Sequence, residues 1–182
     1  MKKSKDKLLL AAIKEDTIGL DYFNPVGVGK INATYNTLKL INIHKPKLII
    51  NYGTAGAINT MLKGIVECTK FYQRDMDVRG LDFELGETPF DKIKEIITSK
   101  DGYSCGTGDS FVNKKIDMEV DVVDMEAYAI AKVCKLENIE FKCFKYISDN
   151  ADENADNDLS LIHISEPTRR SWISYAVFCL KK

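Results

Sequence analysis

Short apolar runs alternate with helix-spaced stretches along most of this chain, and almost every run stops at a glycine or an acid. Leu8-Leu9-Leu10-Ala11-Ala12 ends at Lys14-Glu15-Asp16, and its unbroken apolarity is that of a strand covered on both faces. Asn24-Pro25 marks a turn. Val26-Gly27-Val28-Gly29-Lys30 then leads into residues 31–43, where Ile31, Tyr35, Leu38 and Ile41 recur at helical spacing until Lys45-Pro46 ends the helix. Leu48-Ile49-Ile50 reads as a second buried strand that breaks at Gly53-Thr54-Ala55-Gly56-Ala57, and residues 65–72 as a third, rich in β-branched and aromatic side chains. Residues 89–100, opened by Pro89 and carrying Phe90, Ile93, Ile96 and Ile97 on one side, predict an amphipathic helix. Strands follow over 103–107 and 120–123, then a helix over 126–136 and a last strand over 141–147 that closes at Ser148-Asp149-Asn150. This alternation implies an α/β domain with a largely parallel or mixed sheet between helices.

The 182 residues, 45% hydrophobic and 29% charged, suit one globular domain. A net charge of −1 without a basic stripe argues against nucleic acid as a partner. No apolar run approaches the roughly 18 residues of a membrane span, and six apolar residues after the basic start are too few for a secretory leader. Cys68, Cys105, Cys134, Cys143 and Cys179 form no CxxC pair, which predicts a reducing, cytoplasmic setting.

The chain changes character after Asp158. Before it the only arginines are Arg74 and Arg79; after it come Arg169, Arg170, the only tryptophan, Trp172, and one of the two histidines, His163. Residues 159–169 look like a forward translation of a common transposase-based sequencing adapter, and residues 173–180 like its far end. The expected organisation is therefore a domain over 1–158, incomplete at its C-terminus, and a non-native tail over 159–182.

Among residues able to do chemistry, Gly27-Val28-Gly29-Lys30-Ile31-Asn32 lacks the third glycine of a dinucleotide fingerprint and has Ile31 where a phosphate loop needs a hydroxyl. A tight turn and a ligand-facing turn both remain open for it. His44 sits at a helix end, and neither a metal-ligand cluster nor a Ser-His or Cys-His device is present, which leaves carboxylates. Glu15, Asp109, Asp124, Glu126 and Asp149 all fall just beyond predicted strand ends, where an open α/β sheet places its site. Such a set suits cleavage of a glycosidic bond: one acid protonates the leaving group, one base orients water, and negative charge stabilises a cationic sugar.

Six collinear segments carry a more specific signal. Residues 26–33 (VGVGKINA), 50–56 (INYGTAG), 73–78 (QRDMDV), 106–112 (GTGDSFV), 123–127 (VDMEA) and 147–152 (ISDNAD) resemble, in order, the motifs of the methylthioadenosine/S-adenosylhomocysteine nucleosidases of the nucleoside phosphorylase superfamily. The resemblance implies a three-layer α/β/α fold with a mixed central sheet, a homodimer, a small-molecule nucleoside substrate, no cofactor, and hydrolysis that releases adenine. It matches Asp149 to the acid that protonates the purine at N7, held by Ser148, and Glu15 to the carboxylate that activates water. It matches Glu126 to the acceptor of the ribose hydroxyls, with Met125 under the sugar, Phe111 near the base, the backbone of Val112 at the base edge, and Thr54 near the water and ribose. Burial beside Phe111 is expected to raise the Asp149 pKa, which suits an acid.

Two departures stand out: the segment between Glu15 and Gly27 is short for the family, and Lys145 stands where an arginine is usual. The alternatives are a phosphate-dependent purine nucleoside phosphorylase, disfavoured by the lack of an early arginine loop, and a catalytically silent nucleoside-binding fragment.

Overall fold

The apolar runs assemble into one sheet of eight strands in the computed structural model, which describes residues 6–13 and 23–151. The elements in order are β1 (Lys7–Ala11), β2 (Asn24–Pro25), α1 (Lys30–His44), β3 (Leu48–Ala57), β4 (Ile65–Gln73), β5 (Ile96–Ile97), β6 (Tyr103–Thr107), β7 (Val122–Asp124), α2 (Ala127–Leu136) and β8 (Glu140–Asp149). β3 is buried along nearly its whole length, as a strand with no polar face must be. It pairs in parallel with β1 on one side and β8 on the other. The sheet is mixed: β8 runs antiparallel to β4, β4 parallel to β6, β6 parallel to β7, and β7 antiparallel to the end of β3. Those five strands therefore close into a ring, with β1 and β2 extending from β3 and β5 from β4.

Helix α2 lies against the sheet because it is apolar almost all round; Ala127, Tyr128, Ala129, Ile130, Ala131, Val133 and Cys134 are buried. Together with Leu10, Ile49, Val122 and the edge-to-face pair Phe71 and Phe141, whose ring centroids are 5.2 Å apart, they make the main core. A smaller cluster of Val112, Val120, Val123 and Ala151 sits apart from it.

Four local readings are corrected. Asn24-Pro25 is not a turn but the short edge strand β2, paired in parallel with Leu10 and Ala11 of β1. β3 does not break at Gly53 but runs on through Gly53-Thr54-Ala55-Gly56-Ala57, because its partner β8 continues alongside as far as Asp149. Residues 89–100 are not a helix. Phe90 takes a left-handed conformation (φ 62°) at 97% exposure, and the Asp91 carboxylate accepts from the Ile93 amide (2.9 Å) and from Lys132 Nζ, which commits the backbone to a turn. Ile96 and Ile97 then pair with Phe71 and Lys70 as β5, a use of β-branched residues that local spacing does not reveal. In α1 the helix is as expected but the apolar face is not the inner one: Ala33, Thr37 and Ile41 are buried, whereas Ile31, Tyr35 and Leu38 are 81%, 66% and 39% exposed.

Candidate active site

The carboxyl ends of β1, β3, β4, β6, β7 and β8 open on one cavity of about 180 Å3. Along its wall stand the middle of β3 with Thr54, the α1-leading Val28, Phe111 and Val112 after β6, Met125 and Glu126 after β7, and Ser148 and Asp149 at the end of β8. Every expected site residue that the structure describes thus lines a single cavity. Glu15 lies outside the described residues, as do residues 159–182.

Asp149 is aimed by an irregularity in the sheet. The pairing of β3 with β8 runs Ala55 to Ile147 and then Gly56 to Asp149, so Ser148 is an extra residue. Gly56 has to be glycine here, because a Cβ on it would lie 2.8 Å from Asp149 Oδ1 and 3.0 Å from the Ala151 Cβ. The buried carboxyl group accepts from the Ala151 amide at Oδ1 (2.8 Å) and faces the Ser148 hydroxyl at Oδ2 (2.5 Å). That hydroxyl also has the Ala55 carbonyl at 3.3 Å. It can therefore donate to an ionised Asp149, or turn its proton to Ala55 and accept from a protonated one.

Glu126 is 7% exposed and occupies the N-cap position of α2. Its Oε1 accepts from the Gly29 amide at 2.9 Å, at the start of α1. The two turn glycines, Gly27 and Gly29, sit at φ 81° and 88° and let the chain present that amide. The turn bends the chain into α1 and also holds a cavity carboxylate. No dinucleotide or phosphate motif is involved.

Behind the cavity lies an ion pair. Lys145 Nζ is 2.7 Å from Asp124 Oδ2, and both side chains are 1% exposed. Thr107 donates to Asp124 Oδ1 at 2.5 Å and the Ala127 amide to Oδ2 at 2.8 Å. Burial disfavours both charges, but Asp124 holds the Lys145 pKa well above the ordinary range, and Lys145 with the Thr107 hydroxyl and Ala127 amide keeps Asp124 below it. Asp124 is thereby committed to Lys145, and Asp109 instead accepts from the Lys30 amide at 2.7 Å. Of the strand-end acids that the structure describes, Asp124, Glu126 and Asp149 line the cavity, Asp124 in its ion pair with Lys145. Among the described residues no group of three or more His, Cys, Asp or Glu could hold a metal ion, and His44 is exposed at the end of α1.

Arg74 lines the cavity as well, a residue that sequence reasoning noted only as part of a motif. Its role depends on contacts with residues more than 30 positions away, which no local pattern signals.

Residues 96–171 match the family model described as the phosphorylase superfamily, a match that carries on past Asp158. The chain is 34% identical to the 5'-methylthioadenosine/S-adenosylhomocysteine nucleosidase of Haemophilus influenzae over 155 aligned residues, covering 71% of this chain and 68% of that protein. Its fold is similar to that of the Helicobacter pylori D198N nucleosidase with 5'-methylthioadenosine in the active site, with TM-score 0.83 and 21% identity over 96% of this chain and 98% of that one. It is also similar to the futalosine hydrolase of Helicobacter pylori, with TM-score 0.81 and 21% identity over 93% and 94% of the two chains.

Proposed function

The chain belongs to the 5'-methylthioadenosine/S-adenosylhomocysteine nucleosidase family, and on that premise we propose that it hydrolyses the N-glycosidic bond of a purine nucleoside such as 5'-methylthioadenosine or S-adenosylhomocysteine. The observation that carries the proposal is the pair of buried carboxyl groups, Glu126 and Asp149, on the wall of one cavity that Phe111 also lines. In the reaction the C1'–N9 bond breaks, water adds its oxygen to C1', and adenine leaves with a proton. Asp149 supplies a proton to N7, which removes negative charge from the departing ring, and the Ser148 hydroxyl follows its protonation state. Glu126 binds the ribose hydroxyls and gains as the sugar becomes cationic, so it favours the transition state over the ground state. Met125 and Thr54 border the sugar, Phe111 stacks on the base, and the Val112 backbone meets its edge. Glu15 is assigned the attacking water on the motif alone.

Water rather than phosphate is favoured by the charges in the wall. Lys145 is spent on Asp124, and the Arg74 terminal nitrogens on the Gly108 and Ser110 carbonyls and the Ser110 hydroxyl, so among the described residues no cation on the cavity stands ready for an anion. The reading extends to a cytoplasmic enzyme of methionine salvage acting as a homodimer. The buried free thiols of Cys68, Cys105, Cys134 and Cys143 support a reducing setting, and the exposed apolar face of α1 supports self-association. The test is adenine release from 5'-methylthioadenosine with and without phosphate. Release independent of phosphate is expected, and Asp149→Asn is expected to lower kcat by at least about two orders of magnitude. A near wild-type rate in that variant removes Asp149 from the role of acid.

A further inference from the structure

The loop between β6 and Val112 carries Phe111, yet it has almost no packing of its own: Asp109, Ser110 and Phe111 are exposed. What fixes it reaches across from the end of β4. The Arg74 guanidinium donates from Nη2 to the carbonyls of Gly108 (3.3 Å) and Ser110, and from Nη1 to the Ser110 hydroxyl (3.2 Å). The next residue, Asp75, accepts from the Asp109 amide at 2.8 Å and from Lys30 Nζ, whose own backbone amide donates to Asp109. Gly108 allows this closeness, since a Cβ there would lie 2.8 Å from Arg74 Cζ.

The arrangement is maintained at a cost. Arg74 Nε is buried without a partner, and burial pulls the guanidinium pKa below its ordinary value despite Asp75 and Asp124 nearby. A planar fork that meets two carbonyls and a hydroxyl of one loop defines that loop's path in a way that a flexible ammonium does not.

Resting on the proposed nucleosidase reading, we infer that Arg74 is the positioning residue for base recognition, fixing through Gly108 and Ser110 the loop that presents the Phe111 ring and the Val112 backbone to the purine. Arg74 touches the loop rather than the reacting atoms, so its loss weakens binding in ground and transition state alike and leaves proton transfer at Asp149 intact. Such uniform binding is read in KM and not in kcat.

The test compares wild type, Arg74→Met and Arg74→Lys, with Arg79→Ala as control, because Arg79 pairs with Asp77 and Asp117 on the surface. For Arg74→Met, KM for 5'-methylthioadenosine is expected to rise at least about tenfold, the scale of a lost charge-assisted hydrogen bond, with kcat little changed. Arg74→Lys is expected to recover only part of this. A second readout needs no activity: hydrogen exchange at the amides of residues 109–112 should accelerate in Arg74→Met and stay slow in Arg79→Ala. Unchanged exchange, or a fall in kcat at constant KM, overturns the inference. If Arg74→Met does not fold, Arg74→Lys carries both readouts. If wild type releases no adenine, the nucleosidase reading fails while exchange still decides whether Arg74 holds the loop.

Discussion

Asp124 and Lys145 illustrate at the scale of single residues how a cavity wall can rest on a buried ion pair. Each offsets the other's burial as an ion, and the Thr107 hydroxyl and Ala127 amide add to this for Asp124. Asp124→Asn leaves a buried ammonium without its counter-ion and is expected to cost about 3–5 kcal/mol at neutral pH, whereas replacing both residues by apolar ones of similar volume is expected to cost far less. In the wild type the depressed Asp124 pKa contributes stability that is complete above about 3.9, the unfolded value, and is lost as pH falls towards the folded one. The Asn variant reverses the dependence at the other end: an unpaired buried lysine binds its proton less tightly folded than unfolded, so stability should rise as pH is raised from 7 towards 10. Urea unfolding across that range, on variant and wild type together, measures it. Glu126→Gln belongs to the same scale. It is expected to reduce kcat more than it weakens binding, because the hydrogen bonds it loses strengthen as the sugar turns cationic; a rise in KM alone would make Glu126 a ground-state contact.

Between residue and fold stands α1, a helix with two apolar stripes of which only one is buried. Ile31 and Tyr35 lie a turn apart on the outer stripe, and at 81% and 66% exposure they support little of the monomer's stability. Tyr35→Glu is expected to shift the protein from dimer to monomer in sedimentation velocity with only a small change in unfolding free energy; an unchanged sedimentation coefficient removes α1 from the interface. The same helix shows where reading a sequence succeeds and where it stops. Its span was legible, because Lys45-Pro46 ends it whatever it packs on, and so were β1 and the start of β3, because burial on two faces requires unbroken apolar runs. The inner face of α1 was not, since both stripes have helical spacing and the choice lies with α2. Residues 89–100 misled for the opposite reason: their apolar spacing is helical, but Ile96 and Ile97 are taken by β4, some 26 positions back. The site divides likewise. Glu126 and Asp149 were legible as acids at strand ends, whereas the partners of Lys145 and Arg74 come from distant chain segments and needed the fold.

For the molecule as a whole, the adapter-like tail makes a separate prediction. Leu159, Leu161, Ile162 and Ile164 precede Pro167, and residues 173–180 cluster aromatic and branched side chains without a sustained core-facing period. Deleting 159–182 is expected to leave the melting temperature unchanged or higher, and a cooperative loss of several kcal/mol would show that the segment packs natively. The ring of β3, β8, β4, β6 and β7 sets how such a transition ends activity. β8 is paired with β3 as far as Asp149 and with β4 from Cys143 to Tyr146, so the middle of the strand is held on both flanks. Fraying on that strand is left to its end at Asp149, which among the described residues pairs with β3 alone. Inactivation is therefore expected to precede global unfolding in denaturant, so that enzymatic activity reports the end of β8 before it reports the folded fraction.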